Sequence, residues 1–457
     1  MAEAEISNKG LAARVRELAQ RDGQTISADH VSVRRWLDGT RPKAATQNYI
    51  ALALGAKLGR RVDLAEIGFN GGLQAVGPDA TQHGAEYLPN ADAAVDLMSQ
   101  LTAADLEDQP ALVRSQWAQD ATPSIITGYM FADSLHVVDG DELRRGGGTA
   151  AAAIRATAAN LMDLDFRYGG GHVRKMLLFY FKSEIVPLLQ GNHTEAERRD
   201  LFSAAAEVAQ LLGWSAYDAG RHGAAQRYFV QGLRLAREAH DHVLGGRLLA
   251  NLSHQANYLG RFNDAVQFAR AAQSSTLGKA TPAVTSMFLA MEARALASSG
   301  HTREFARVMH QAEQFFEQCI PDDEPAWISY FNAEELAGEA AHCFRDLRQP
   351  EKARLYAAQA IGPDDTPPRT RAFIGMVSAA GALTNGDLEE AVDLAINAVD
   401  LAGPLQSNRY VRYLTDFHAQ LAETHASDHR TRLFVETVMR HYPEIDLGTA
   451  SLLTRVA

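Results

Sequence analysis

The chain has 457 residues, of which 46 % are hydrophobic, and its formal net charge is -12. This length exceeds one compact core and predicts two or three modules, and the hydrophobic content excludes a disordered chain. The N-terminus lacks the basic and apolar regions of a signal peptide, and no run of about 18 apolar residues occurs. We therefore expect a cytoplasmic protein without a membrane partner.

The charge is divided unevenly along the chain. Residues 1–70 contain eleven Lys and Arg against eight Asp and Glu, so this segment has a net charge of +3 and the remainder one of -15. A basic head in front of an acidic body favours binding of a polyanion by the head.

The head is predicted to contain three helices. Residues 9–20 form an amphipathic helix, and a second, shorter helix starts with Ser27 or Asp29 as its cap and stops at Gly39. A third, apolar helix over residues 49–58 closes a small bundle behind the second one.

The second helix has two different faces. Val33, Trp36 and Leu37 form its core stripe, and the opposite face is polar and basic. Because Arg can grip guanine through two hydrogen bonds and flanking cations can hold the DNA backbone, this layout is typical of a recognition helix. The alternative is that the arginines belong to the solvated face of a small capping helix. The predicted DNA-binding residues are Ser32, Arg34, Arg35, Arg41 and Lys43.

A repeat motif dominates the rest of the chain. The segment from Leu211 to Phe229 has the spacing of Trp, Tyr, Gly, Ala and Phe that is typical of a tetratricopeptide repeat. Trp214, Tyr217 and Phe229 are expected to interlock two antiparallel helices, and Gly220 lets the chain turn between them.

The turn glycine recurs at Gly260 and Gly300, each 40 residues after the one before, and weaker copies of the motif lie at 348–353 and 385–391. Between the turns, apolar residues return at helical spacing, and no segment alternates for long enough to suggest a sheet. We expect six helix pairs over about residues 197–442.

These patterns predict an all-α protein. A helix-turn-helix-like domain is expected over residues 1–70, a linker or connector over 71–148, and a tetratricopeptide-like α-solenoid over 149–457. The connector is inferred from its Gly and Pro residues, which interrupt any long helix. It leaves room for short helices such as 91–101 and for a brief strand between residues 125 and 138.

The first helices of the pairs are expected to form a concave face that binds a ligand or partner. This layout resembles peptide-pheromone receptors, in which Asn side chains pair with the backbone of an extended peptide. The alternative is that these side chains are ordinary surface residues or make hydrogen bonds between repeats. The candidate binding residues are Asn251, His254, Gln255, Asn257, Asn332 and Glu335.

The sequence offers no positive indication of catalysis. Cys319 and Cys343 have no paired Cys or His motif around them and are expected to be ordinary thiols. The glycines at 146–148 and 169–171 lack the Lys-Ser/Thr of a phosphate-binding loop and are interpreted as joints between helices. His172, with Arg174 and Lys175 nearby, is interpreted as a surface cluster rather than a catalytic group. We expect neither an enzyme, nor a cofactor, nor a bound metal.

Four segments together carry a resemblance that covers nearly the whole chain. They resemble a family of actinobacterial, Streptomyces-type regulators of development and antibiotic production that join a helix-turn-helix head to tetratricopeptide repeats. The segment between the first and second helices is shorter than the usual positioning helix, so the resemblance implies DNA binding without defining the docking geometry. The segments are Ser32-Val-Arg-Arg-Trp-Leu-Asp-Gly-Thr-Arg-Pro42, Leu58-Gly-Arg-Arg-Val62, Leu164-Asp-Phe-Arg-Tyr-Gly-Gly-Gly-His-Val173 and Gly213-Trp-Ser-Ala-Tyr-Asp-Ala-Gly-Arg-His222.

The resemblance and the residue patterns imply a transcriptional regulator of development or secondary metabolism. Its expected partners are double-stranded DNA, a second copy of itself in a homodimer, and a peptide or small-molecule effector bound by the solenoid. Such a protein would be associated with the nucleoid when bound to DNA. The alternative is a tetratricopeptide protein-interaction adaptor that does not bind DNA.

Overall fold

The structure, a computed structural model, divides the chain into two compact units, Met1–Ala80 and Thr81–Ala457. In the described residues every regular element is a helix and none is a strand, which confirms the all-α prediction. None of these helices combines the length and the apolar character needed to cross a bilayer. The described residues are 6–21, 26–37, 40, 42–58, 62, 67, 84–131, 149–168, 170–362, 366–403, 405–445 and 447.

The described part of the N-terminal unit contains three helices, α1 (Asn8–Arg21), α2 (His30–Leu37) and α3 (Ala44–Leu58). The short α2 is fixed at its start by Asp29, whose Oδ1 accepts hydrogen bonds at 2.7 Å from both the backbone N–H and the hydroxyl of Ser32. Such a bond satisfies a backbone donor that has no partner within the helix. Of the two caps expected from the sequence, Asp29 is the one used.

One face of each helix contributes to the core of this unit. Leu11 and Val15 of α1 pack with Val33 of α2 and with Ile50 and Leu54 of α3. The three predicted helices thus form a small bundle with its own apolar core.

The core stripe predicted for α2 is wrong at one position. Val33 is buried and Trp36 packs half-buried against the core, but Leu37 is 62 % exposed. Leu37 lies at the C-terminal end of α2, one residue beyond the half-buried Trp36.

The second unit begins with helices that precede the repeats. A π-helical turn, Phe181–Ile185, joins the last two of them. They are α4 (Ala91–Leu106), α5 (Pro110–Val113), α6 (Thr122–Phe131), α7 (Thr149–Tyr168), α8 (Gly170–Tyr180) and α9 (Val186–Leu189).

Six helix pairs follow, and the two helices of each pair pack against each other across a short turn. This confirms the number and the extent of the pairs expected from the sequence. The pairs are α10 (Glu195–Asp218) with α11 (His222–Glu238), α12 (His242–Tyr258) with α13 (Phe262–Ser275), α14 (Pro282–Ser298) with α15 (Thr302–Phe316), α16 (Ala333–Asp346) with α17 (Pro350–Gln359), α18 (Pro368–Thr384) with α19 (Leu388–Ala402), and α20 (Asn408–His425) with α21 (His429–His441).

The turns within the first five pairs use a residue in the left-handed region. Gly220, Gly260, Gly300 and Gly386 have φ values of 75°, 75°, 79° and 86°, and Arg348 takes the same place in the fourth pair with a φ of 55°. A glycine adopts this conformation without the steric cost that a Cβ atom adds. The regular glycines in the sequence therefore mark the ends of the first helices.

The aromatic residues of the motif interlock the first pair as expected. The Trp214 ring centroid lies 5.4 Å from that of Tyr217 and 6.3 Å from that of Phe229, and Ala225 is fully buried. A Cβ atom on Gly213 would lie 2.3 Å from the Phe229 ring, so the phenyl group occupies the space that a larger residue would need. Small residues thus let α10 and α11 approach closely.

The structure differs from the connector predicted over residues 71–148. Within residues 84–131, α4 and α5 pack on α11, and α6 packs on α11 and α13, so this segment belongs to the compact second unit. Its proline at 110 begins a helix rather than preventing one. The strand expected from residue 125 onward is wrong as far as 131, where α6 buries Ile125 instead, and 132–148 lie outside the described residues.

A buried carboxylate holds α4 in place. Asp105 accepts hydrogen bonds from Arg174 Nη1 at 2.6 Å, from Arg221 Nη1 at 2.8 Å and from the Tyr228 hydroxyl at 3.1 Å. Burial and the nearby Asp105 raise the pKa of Tyr228 well above its usual range. Arg174 is therefore buried in an ion pair, and its predicted place in a surface cluster is wrong.

Candidate ligand cavity and basic head

The first helices of the six pairs surround a cavity of about 1260 Å³. Its wall is formed mainly by α10, α12, α14, α16, α18 and α20. Along α12 the lining residues include Arg247, Asn251, His254 and Tyr258, whose spacing places them on one face of the helix. The volume exceeds the roughly 300–1,000 Å³ of common small-molecule sites. It therefore favours an extended ligand such as a short peptide.

Most of the candidate binding residues point into this cavity. Gln255 does not, because it is buried in the wall, where its Nε2 donates to the backbone oxygen of His222 at 2.8 Å. A step of one residue along a helix rotates a side chain by about 100°, which turns Gln255 towards the neighbouring helix. The five candidates that line the cavity are Asn251, His254, Asn257, Asn332 and Glu335. Their binding of a ligand stays a prediction.

Asn332 also has a role in local structure. It is the N-cap of α16, and its Oδ1 accepts a hydrogen bond from the backbone N–H of Glu335 at 2.9 Å. This contact gives Asn332 a capping role within its own helix, which differs from both the surface role and the hydrogen bonds between repeats of the alternative.

The last helix pairs return to the first and close the cavity. Asp218, the last residue of α10, is 2 % exposed. Its Oδ2 accepts from Arg369 Nη2 at 2.7 Å, and its Oδ1 accepts from Arg409 Nε at 2.7 Å and from the Ser407 hydroxyl at 3.1 Å. Since these partners lie 151 to 191 residues further along the chain, Asp218 joins the two ends of the array.

Aromatic and imidazole rings form the wall beside this junction. The Tyr217 hydroxyl lies 3.1 Å from His254 Nδ1, and the Trp214 and His254 ring centroids are 5.2 Å apart. The Arg409 guanidinium stacks over Tyr217 at 5.0 Å and over Trp214 at 5.2 Å. Burial, helped by the positive charges of Arg294 and Arg409, lowers the pKa of His254 well below its usual range. The imidazole is therefore neutral at neutral pH.

Other arginines of the cavity wall are paired with carboxylates. The charges of the largely buried Arg294 and the half-buried Arg345 are thereby compensated, whereas the Arg412 pair is exposed. The pairs are Arg294 with Glu339 at 2.7 Å, Arg345 with Asp346 at 2.7 Å and Arg412 with Asp416 at 3.6 Å.

Glu335 has an unusual environment within the cavity. Burial raises its pKa to about 7, with a further contribution from the negative charge of Glu339. Arg294 of α14, Arg369 of α18 and Arg409 of α20 act in the opposite direction. The carboxyl group of Glu335 is thus partly protonated near neutral pH.

We expect the Glu335→Gln variant to be more stable than the native chain in alkaline solution. Because the folded pKa of Glu335, about 7, exceeds its ordinary value of 4.5, ionisation penalises the folded state. The penalty is fully present above pH 7 and disappears as the pH falls towards 4.5, and it corresponds to at most about 3–4 kcal/mol. Urea unfolding of both proteins at about pH 8, 6.5 and 5 measures the difference.

The buried histidines do not affect the difference in unfolding free energy between the two proteins. Both proteins contain these histidines, so their contributions to stability cancel at each pH. A stability difference that is the same at all three pH values would contradict the raised pKa of Glu335.

Sequence reasoning missed the residues that α14, α18 and α20 place in the cavity. Arg294, Arg369 and Arg409 are the main examples. Each lies on the first helix of a pair, so the same rule that selected Asn251 could have selected them. Only the closure of the array, however, brings Arg369 and Arg409 to the end of α10.

The two cysteines are free thiols, as expected. Cys343 is buried and Cys319 is half-buried. Burial raises the pKa of both, which disfavours the reactive thiolate form.

In the head, the predicted DNA-binding residues occupy different environments. Arg34, Arg35 and Lys43 are exposed, whereas the hydroxyl of Ser32 is engaged by Asp29 in the cap of α2. Arg41, which was also predicted to contact DNA, lies outside the described residues. The exposed face of α2 is therefore basic, and its opposite face is fixed by the core.

Comparison with protein families gives a match within the head. Residues 1–70 are similar to the family described as the SP15 N-terminal domain. None of the curated proteins matches the chain. The family match ends before the helix pairs begin.

Proposed function

We propose that the protein is a DNA-binding transcriptional regulator. The observation that carries this proposal is the exposure of Arg34 and Arg35 side by side on α2, neither of them in an ion pair within the described residues. Two free guanidinium groups on a short, capped helix suit bidentate contacts to guanine. Val31, which is exposed on the same helix, is suited to contact a thymine methyl group.

The cavity supports the second part of the proposal, which is that the solenoid binds a peptide or small-molecule effector. A ligand that binds one conformation of the helix array better than another shifts the population towards it. Because α2 has eight residues and offers little surface for a specific operator, we propose a homodimer that places two heads on paired half-sites. The resemblance of the sequence suggests control of development or secondary metabolism, in the cytoplasm and on the nucleoid.

The Arg34→Ala/Arg35→Ala variant is expected to lose specific DNA binding. Each lost bidentate contact costs about 1–3 kcal/mol, so the affinity for the operator should fall by about 100-fold or more. Purified native and variant proteins would be used to capture genomic fragments at about 150 mM salt, where weak phosphate contacts are screened. The native protein should enrich a few promoters that the variant does not.

The matched control is Arg303→Ala/Arg307→Ala, which removes two exposed arginines from α15 and should leave the enrichment unchanged. If the native protein enriches no fragment at any salt concentration, with or without candidate peptides, the head does not bind DNA. That result would favour the second candidate, an interaction adaptor, which the size of the cavity supports independently of the head.

A further inference from the structure

One arginine in the cavity wall lacks the carboxylate that its neighbours have. Arg247 of α12 is 6 % exposed and lines the cavity. Within the described residues its Nε has no hydrogen-bond acceptor and its guanidinium group forms no ion pair. Its guanidinium stacks on the Trp327 ring, with Cζ 4.5 Å from the centroid.

The nearest acidic group does not compensate this charge. Glu207 of α10 influences the pKa of Arg247, but its carboxylate is bound to Arg155 Nε at 2.9 Å and does not reach Arg247. Burial lowers the pKa of Arg247 without making it a neutral group. A buried charge without a partner is costly, so a site of this kind is completed when an anion binds.

A second unpartnered donor lies one helical turn away. Asn251 is 7 % exposed, and no acceptor for its Nδ2 is present in the part of the chain that the structure describes. The guanidinium of Arg247 and the amide of Asn251 line the same cavity from the same face of α12. Two converging donor groups, one of them charged, match the two oxygens of a carboxylate.

The surroundings restrict the ligand further. Met287, Met291 and Phe331 line the cavity with Arg247, so the group attached to the carboxylate has apolar surface to contact. Glu335 and Glu339 line it as well and disfavour a second negative charge on the ligand. One uncompensated cation therefore favours a single carboxylate over a doubly charged phosphate.

We propose that the cavity binds a short peptide through a carboxylate that is held by Arg247 and Asn251. The carboxylate is supplied by the peptide's C-terminus or by an acidic side chain, and apolar side chains of the peptide contact the methionines and Phe331. This inference rests on the proposed binding of an effector by the concave face, and it is independent of DNA binding by the head.

The test uses three libraries of random tetrapeptides with the full-length chain. The first library lacks Asp and Glu and has free C-termini, the second has the same sequences with amidated C-termini, and the third is amidated but contains Asp. Peptides retained by the protein are separated by size exclusion and counted by mass spectrometry. Retention of the second library should be at least about 10-fold lower than that of the first or the third.

Retention of the first library alone would identify the C-terminus as the source of the carboxylate, and retention of the third would identify the side chain. Equal retention of all three libraries, or of none, would overturn the proposal. Because no DNA is present, either result leaves the proposed function of the head unaffected.

The variant Arg247→Met separates a ligand-binding role from a structural one. It should lower retention of the carboxylate libraries by at least about 10-fold, while Arg303→Met on the exposed face of α15 should leave it unchanged. In the absence of peptide, Arg247→Met should have a Tm equal to or higher than that of the native chain, because it removes an uncompensated buried charge. A lower Tm together with unchanged retention would show that Arg247 serves the fold, and would overturn its assignment.

Discussion

Replacing Asp218 by asparagine is expected to lower the free energy of unfolding of the second unit by about 3–5 kcal/mol, the range for breaking a buried ion pair. The two carboxylate oxygens accept hydrogen bonds from different arginines, Arg369 and Arg409. In asparagine an NH2 group replaces one of these oxygens. This NH2 group donates hydrogen bonds, and it faces a guanidinium that also donates. Urea unfolding of the native and variant chains, followed by circular dichroism, measures the change.

The matched control is Glu390→Gln, which removes a more exposed carboxylate at 2.8 Å from Arg354. An exposed pair of this kind contributes less than about 1 kcal/mol. Adding Arg409→Met to the Asp218 variant should restore part of the lost stability, since the uncompensated charge is then removed. If Asp218→Asn and Glu390→Gln have equally small effects, the closure of the array does not depend on Asp218.

Replacing Asp105 by asparagine is expected to destabilise the second unit by about 3 kcal/mol or more, again because a fully buried carboxylate is lost from a group of cations. Asp105 is the shared acceptor for Arg174 and Arg221. Asp108 also contacts both arginines, but it is exposed and replaces the lost charge only in part. The effect should be greatest in α4, the helix that carries Asp105.

Hydrogen exchange measured by mass spectrometry localises this effect. Exchange in α4 and in the adjoining part of α11 should become faster in Asp105→Asn, because both elements depend on the same buried cluster. The control Asp96→Asn changes an exposed carboxylate of the same helix and should alter stability by less than about 0.5 kcal/mol. Unchanged exchange in α4 after loss of Asp105 would mean that another contact holds the helix against the repeats.

Local patterns in the sequence were sufficient to predict the helix pairs. The glycines at 220, 260 and 300 recur because the left-handed turn at the end of each first helix favours a residue without a Cβ atom. Trp214 and Phe229 could likewise be assigned to a helix interface, since their spacing matches one helical pair. These predictions depend on contacts between residues that are close in the chain.

The connector prediction correctly placed a short helix at 91–101, within α4, but it missed the packing of residues 84–131 on the repeats. Glycine and proline residues report where helices end, and they do not report whether the short helices between them pack on another surface. Asp105 shows this well, because its partners Arg221 and Tyr228 follow it by 116 and 123 residues. No local pattern in residues 84–131 indicates that contact.

In the candidate site, too, the sequence predicted which face of a helix a residue occupies when helical spacing alone decides it. Asn251 and His254 could be placed on the concave face from helical spacing alone, and Gln255 was assigned to it wrongly because the prediction did not resolve a rotation of one residue. The basic face of α2 was also evident from the sequence, since Arg34 and Arg35 lie opposite the buried Val33. Both predictions used the periodicity of a single helix.

The sequence by itself thus determined the all-α class, the six helix pairs and the faces of individual helices, because each follows from spacing within about 40 residues. The tertiary structure alone decided that the array closes through Asp218, and that Arg247 has no carboxylate partner among the described residues, while the other arginines of the cavity wall do. Whether a buried charge is compensated depends on helices far apart in the chain, and that information arises only when they pack together.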